Sequence, residues 1–194
     1  MIEADAAYEW FLQGYELHRR GRRSSQAEAA YRQAIEGGYA EAWLNLGMLL
    51  AAQPGRADEE EAAFRAAMVC DDPATTAVAA SRLGDLLENL RRDLTGAQLC
   101  FEFARDQGVG ETRRQARVKL AMVLAFQGDK EAAERELRGY IDERYAEEDG
   151  SEFHERLATR LVARAEMFRL LRPSRYRISK RARGMRVRMF GART

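Results

Sequence analysis

The feature that most constrains the fold is a pattern of small and bulky residues that recurs four times along the chain. A small residue opens each copy, at intervals of 33, 37 and 37 residues: Gly14, Gly47, Gly84 and Ala121. About half a repeat later comes a bulky residue: Tyr31, Phe64, Phe101 and Leu137. A repeat of this length is typical of helical units that stack along the chain.

Each copy predicts a helical hairpin. The small residue lets the second helix approach the first, and the bulky residue fills the space beside it. One hairpin cannot bury both of its faces, so neighbouring hairpins must stack. The chain has 33 Ala and only 3 Pro, which favours helix over sheet. Turns are predicted where Gly and polar residues cluster, at 21–25, 53–56, 91–95 and 127–129.

The second copy shows the fullest spacing: Trp43, Leu46-Gly47, Leu50, Phe64, Ala67 and Pro73. This spacing resembles the W-x2-L-G-x2-Y…A-x3-F…P signature of the tetratricopeptide repeat family, and the resemblance covers residues 7–145. It implies an all-α fold, a right-handed α/α superhelical solenoid of four hairpins. The sequence departs from the signature in four places: Gln13 for Leu, Glu60 and Tyr140 for small residues, and Arg117 for Trp.

The repeat domain is predicted to span residues 1–172 and to end in a capping helix at about 149–171. Asp149 and Glu152 form a start that is similar to a capping box. An apolar stripe at helical spacing follows, and Pro173 ends it. Such a helix would cover the apolar face of the last repeat.

Residues 173–194 form an arginine-rich tail. Residues 167–194 contain ten Arg or Lys and no acidic residue, whereas residues 1–166 have a net charge of −9. The net charge of +1 therefore conceals an acidic body and a basic tail. Residues 175–179 (RYRIS) and 185–189 (MRVRM) alternate basic and apolar side chains, as a strand does. We expect the tail to be disordered, or to form a short hairpin or a strand on a partner.

The resemblance implies that the first helix of each repeat lines a concave groove that binds a peptide or protein. The corresponding residues are Tyr8, Phe11, Tyr15, Arg19, Asn45, Met48, Arg82, Asp85, Asn89, Lys119 and Phe126. Exposed aromatic residues beside Arg and Asn are typical interface anchors. The alternative is that Phe11, Leu44 and Met122 pack between repeats. Asn45, Arg82 and Lys119 occupy equivalent positions in successive repeats. A site that binds the C-terminal carboxylate of a peptide is therefore a further possibility.

We predict that the chain is not an enzyme and needs no metal or cofactor. His18 and His154 are the only histidines, and no zinc-protease, hydrolase or phosphate-loop motif occurs. Cys70 and Cys100 lack a C-x-x-C partner and are expected to be buried free thiols. The N-terminus lacks the apolar region of a secretory signal, and no apolar run is long enough to cross a membrane. We therefore expect a cytoplasmic location.

The leading hypothesis is a non-enzymatic adaptor whose groove binds a partner and whose tail aids binding or assembly. The first alternative is that the tail binds nucleic acid or an anionic surface, since Arg contacts phosphates and aromatic side chains stack on bases. The second alternative is self-association, with the tail docked on an acidic body. The candidate residues of the tail are Arg175, Tyr176, Arg177, Lys180, Arg181, Arg183, Arg186 and Arg188.

Overall fold

The structure, a computed structural model, describes residues 4–21 and 24–144, and within these ranges it is all-α, without a strand. The helices are α1 (Ala4–Arg19), α2 (Ser24–Glu36), α3 (Ala42–Ala51), α4 (Ala57–Ala67), α5 (Pro73–Leu86), a π-helical turn (Leu87–Arg91), α6 (Leu94–Gln107), α7 (Gly110–Gln127) and α8 (Lys130–Arg144). The predicted all-α class is confirmed. The predicted capping helix, the domain boundary at residue 172 and the tail lie outside the described residues.

The chain divides into two compact units, Met1–Leu86 and Leu87–Thr194. In the first unit, consecutive helices pack on one another from α1 to α5. Its core contains Tyr31, Leu46 and Leu50, each at most 1% exposed, together with small alanines. In the second unit, α6 packs on α7 and α7 on α8. Sequential packing of this kind is what hairpin repeats require.

The predicted contact between a small residue and a bulky residue is confirmed in the first unit. A Cβ atom on Gly14 would lie 2.8 Å from Cδ1 of Tyr31, and a Cβ atom on Gly47 would lie 2.5 Å from Cε1 of Phe64. Both rings are fully buried. The two glycines therefore leave room for a ring that lies almost against the helix backbone.

In this unit, ion pairs join α2 of the first hairpin to the start of α4 in the second hairpin. Arg56, just before α4, contacts Glu28 of α2 with an Nη1–Oε2 distance of 2.6 Å. It also contacts Glu59, and Arg32 contacts both of these carboxylates. The hydrogen bond from Arg56 holds the pKa of Glu28 at about 2, below its ordinary value of 4.5.

Side chains and backbone geometry explain where several helices begin. Asp72 accepts hydrogen bonds from the backbone N–H of Thr75 at 2.8 Å and from its hydroxyl at 2.6 Å, and Pro73 is the first residue of α5. The side chain of Asp93 accepts a hydrogen bond from the N–H of Gly96 at 2.9 Å and caps α6. The turn predicted at 53–56 falls wholly between α3 and α4. The turn predicted at 127–129 overlaps α7 at its last residue, and the turn predicted at 21–25 overlaps α2 at residues 24 and 25.

The turn predicted at 91–95 is shorter than expected because the chain stays helical up to Arg91. The π-helical turn includes Arg91, the first residue that the sequence had assigned to the connection. Arg92 then adopts a left-handed backbone with φ of 57°, and α6 starts two residues later. A π turn adds a residue to a helix without breaking it, so it accounts for part of the longer repeat.

The fourth repeat replaces the expected Trp with Arg117, and the structure shows what this side chain does. Its guanidinium lies 2.8 Å from Glu136 Oε2 and 2.9 Å from Glu143 Oε1, both on α8. It crosses α8 at Gly139, where a Cβ atom would lie 2.7 Å from Nη1. Arg105 of α6 pairs with the other oxygen of Glu136. Ion pairs thus replace the aromatic contact that the repeat signature predicts.

Candidate partner-binding surface on the first helix

Four aromatic rings lie together at α1, and we call them the aromatic row: Tyr8, Phe11 and Tyr15 of α1, and Tyr39, which precedes α3. The ring centroids of Tyr8 and Phe11 are 6.3 Å apart, and those of Phe11 and Tyr15 are 6.4 Å apart. The planes of these two pairs differ by only 24° and 26°. The three positions are three and four residues apart, so an α-helix places them on one side.

Tyr39 lies in the connection between α2 and α3, and its ring packs against the rings of α1. Its ring centroid is 4.7 Å from that of Phe11 and 5.6 Å from that of Tyr8. Phe11 and Tyr39 are half-buried and pack against the core of the first unit. The core contact thus fixes the position of Phe11 and Tyr39, whereas Tyr8 and Tyr15 are more exposed.

The outer rings are exposed. Tyr8 is 45% exposed and Tyr15 is 46% exposed, which agrees with their prediction as surface residues. The alternative interpretation, core packing, holds in part for Phe11. Trp10 lies on the other side of the core-facing stripe of α1 and is 38% exposed. It lines an open depression together with Glu9, Leu12, Gln13 and Glu16.

Charged groups stand at the C-terminal end of the row. Arg19 donates a hydrogen bond to Glu16 at 3.0 Å, which lowers the pKa of that carboxyl, and Arg20 lies 3.6 Å from the same group. His18 Nδ1 lies 3.3 Å from the hydroxyl of the buried Tyr31. Partial burial lowers the pKa of His18, since a charged imidazole is poorly solvated there.

The other predicted groove residues lie on α3, α5, the π turn and α7. Asn45, Met48 and Asp85 are half-buried, whereas Arg82 is exposed. In the second unit Asn89 is exposed, and Lys119 and Phe126 are half-buried. The ammonium of Lys119 lies 5.6 Å from the ring centroid of Phe101. Among the predicted residues of the first repeat, the rings of Tyr8, Phe11 and Tyr15 contact one another in sequence along α1.

One residue of this surface, Tyr39, was missed by the sequence patterns. Tyr39 follows Gly37-Gly38 and has no position in the repeat signature, yet it contacts two rings of the row. In the second unit, Met122 of α7, for which the sequence left packing between repeats open, is 42% exposed. An aromatic residue directly after a glycine pair was the only available signal for Tyr39.

The chemistry of the described part offers aromatic surface and ion pairs. Among residues 4–21 and 24–144, no group of three or more His, Cys, Asp or Glu could hold a metal ion. Cys70 and Cys100 are buried free thiols, as predicted. No helix in the same residues is long and apolar enough to cross a membrane. The candidate tail residues, from Arg175 to Arg188, lie beyond the described part of the chain.

No family model, curated protein or solved structure matches this chain.

Proposed function

We propose that this chain is a non-enzymatic adaptor, built of repeats similar to tetratricopeptide repeats, that binds an extended peptide or a protein segment. The aromatic row is the observation that carries the proposal. It combines two half-exposed tyrosines with two rings that are fixed against the core. Aromatic residues are enriched at the centres of interfaces, where they contribute large contact areas.

The row suits a peptide because its geometry is already formed. A tyrosine has only two side-chain torsions, so little conformational entropy is lost when a partner covers it. Its hydroxyl can bond a peptide carbonyl while the ring contacts apolar atoms. Contact of Tyr8 and Tyr15 with the ring of Phe11 between them limits their motion further. A preorganised surface has a smaller cost of ordering on binding.

The packing of the repeats supports the proposed architecture. The rings of Tyr31 and Phe64 lie against Gly14 and Gly47, which are the paired positions that the tetratricopeptide signature predicts. In that family the first helix of each repeat faces the ligand, and three of the four rings of the row lie on the first helix of the first repeat. The sequence has no catalytic motif, and the row offers aromatic surface rather than a paired acid and base.

A peptide-display selection on the full-length protein tests the proposal. Peptides selected on the wild type should bind the double variant Tyr8→Leu, Tyr15→Leu at least about tenfold more weakly, since exposed aromatic anchors contribute more than 1 kcal/mol each at interface centres. The matched control is Trp10→Leu, which removes a similarly exposed ring from the other side of α1. Equal affinity for the wild type and the row variant would refute the proposal.

A second candidate function, binding of nucleic acid or an anionic surface, is favoured by the tail. Ten positive charges without an acidic residue in 167–194 would neutralise several phosphates. Full-length protein should then bind single-stranded RNA with a logarithmic affinity that falls steeply with the logarithm of salt concentration. Absence of binding at low salt would exclude this function, and retained binding after deletion of 173–194 would locate it elsewhere.

A further inference from the structure

We propose that the aromatic row takes the arginine-rich tail (residues 173–194) of a second copy of this chain, with arginines at alternate positions lying over successive rings. The proposal rests on the row being the peptide-binding surface, and it names the chemistry of the peptide. The ligand is an extended segment with arginine at every second residue. Reciprocal exchange of tails would join two copies about a twofold axis.

The spacing of the rings matches the spacing of the arginines. Successive rings along α1 are 6.3 and 6.4 Å apart. In an extended strand, alternate side chains point to the same face at a separation of about 6.6 Å, or twice the rise per residue. Arg175 and Arg177 form one such pair, and Arg186 and Arg188 form another. Two guanidinium groups of a pair can therefore contact two neighbouring rings without bending the segment.

The chemistry of the rings also suits arginine. A guanidinium is planar, weakly hydrated and stacks on aromatic faces, and the attraction extends to about 6 Å from a ring centroid. The exposed fraction of Tyr8 and Tyr15 leaves nearly half of each side chain available for such contact. The apolar residues that alternate with the arginines would lie on the opposite face of the segment, where the second tail segment can cover them.

Charge complementarity favours the same occupant. Residues 4–86 contain 13 acidic and 8 basic residues, a net charge of −5, and the tail carries only positive charge. Opposite charge steers the tail to this unit and raises the rate of encounter. Residues 145–172 lie between the last described helix and the tail, so 28 residues of chain join the tail to the body.

Sedimentation velocity of the nuclease-treated full-length protein over a range of concentrations tests the proposal. The wild type should associate reversibly to twice the chain mass, more weakly as salt is raised. The row variant Tyr8→Leu, Tyr15→Leu should dissociate at least about tenfold more readily. The double variant Tyr8→Phe, Tyr15→Phe keeps both rings and should retain association. The variant Trp10→Leu is the control on the other side of α1. Circular dichroism and thermal unfolding verify that each variant is folded.

Two tail variants separate spacing and chemistry from charge. Exchanging neighbours (Tyr176→Arg with Arg177→Tyr, and Val187→Arg with Arg188→Val) keeps the composition but breaks the alternation, and should weaken association about tenfold. Replacing the four alternating arginines by lysine keeps the charge and should weaken it similarly, because an ammonium does not stack. The same replacement at Arg169, Arg172 and Arg193, outside the alternating segments, should have little effect.

A single-chain mass for the wild type at every concentration would overturn the proposal, and so would unchanged association of the row variant or of the exchange variant. The failure of this inference differs from that of the proposed function. If the wild type is monomeric but the row variant loses display-selected peptides, the peptide-binding surface stands and only its assignment to the tail fails. If the row variant keeps both properties, both proposals are wrong.

Discussion

Substituting Gly47 by alanine should destabilise the first unit, although alanine is the better helix former. Gly47 lies in the middle of α3, and the ring of Phe64 from α4 crosses directly over it. A Cβ atom would lie 2.5 Å from Cε1, 2.7 Å from Cδ1 and 3.1 Å from Cζ of this ring. Carbon atoms in proteins rest about 3.5–4.0 Å apart, so the two helices would have to separate or the ring would have to turn.

Two opposing effects set the magnitude. Adding a methyl group to a core that has no space costs about 1–3 kcal/mol. Replacing glycine in a helix interior with alanine contributes about 1 kcal/mol in the other direction. Because Phe64 is only 1% exposed and packed on all sides, we expect the steric cost to be at the upper end of its range. The net loss of unfolding free energy should be about 1–2 kcal/mol.

Urea unfolding, followed by circular dichroism, measures this loss, and hydrogen exchange of the α3 and α4 amides assigns it to the first unit. Gly139→Ala in α8 is the matched control. Its Cβ atom would meet the end of the Arg117 side chain, which can move, rather than a buried ring. The unfolding free energy of this control should stay within about 0.5 kcal/mol of the wild-type value, because the gain in helix propensity offsets the displaced ion pair.

A double-mutant cycle identifies the ring as the cause. Phe64→Leu makes room beside Gly47, so Gly47→Ala should cost at least about 1 kcal/mol less in that background. If Gly47→Ala raised the stability as helix propensity alone predicts, the close approach of α3 and α4 would be wrong. A cycle without coupling would also refute the reasoning, because the loss would then have another origin.

Three further predictions concern charge, capping and thiol chemistry. Arg56 holds the pKa of Glu28 at about 2 instead of 4.5. The stabilisation of the fold by the Glu28 carboxylate is therefore complete above pH 4.5 and is lost as the pH falls towards 2. Glu28→Gln should lower stability at pH 7 by about 1 kcal/mol and flatten this acid dependence in urea titrations, whereas an unchanged slope would contradict the ion pair. Asp93→Ala removes the cap of α6 and should cost about 1 kcal/mol, measured by thermal unfolding, and a variant as stable as the wild type would count against the cap. Cys70 and Cys100 should react with a thiol reagent only slowly until urea is added, since both are buried and burial raises the pKa of Cys70. Rapid labelling of the native protein would show that the thiols are accessible.

The pairing within the first two hairpins was predictable because contacts at short sequence separation fix it. Gly14 and Tyr31 are 17 residues apart, as are Gly47 and Phe64, and in both pairs the structure shows the close approach that the spacing predicts. The helix ends were less predictable. The π turn has no composition that sets it apart, so the sequence assigned its last residue, Arg91, to a connection.

The aromatic row was predictable only within one helix. Helical periodicity places Tyr8, Phe11 and Tyr15 on one side of α1, and the structure shows their rings in contact. Tyr39 could not be found in this way, because it joins the row through packing between hairpins rather than through periodicity. Arg117 likewise looked like a departure from the repeat, and only the position of α8 shows that it forms ion pairs.

The sequence by itself determined the all-α class, the paired positions within the first two hairpins and the separation of charge between body and tail. These properties follow from residue spacing and composition, which are local and can be counted. Only the tertiary structure decided which aromatic residues stay exposed and which are fixed against the core. That outcome depends on how close neighbouring helices come, and this distance is set by side chains that are far apart in the sequence.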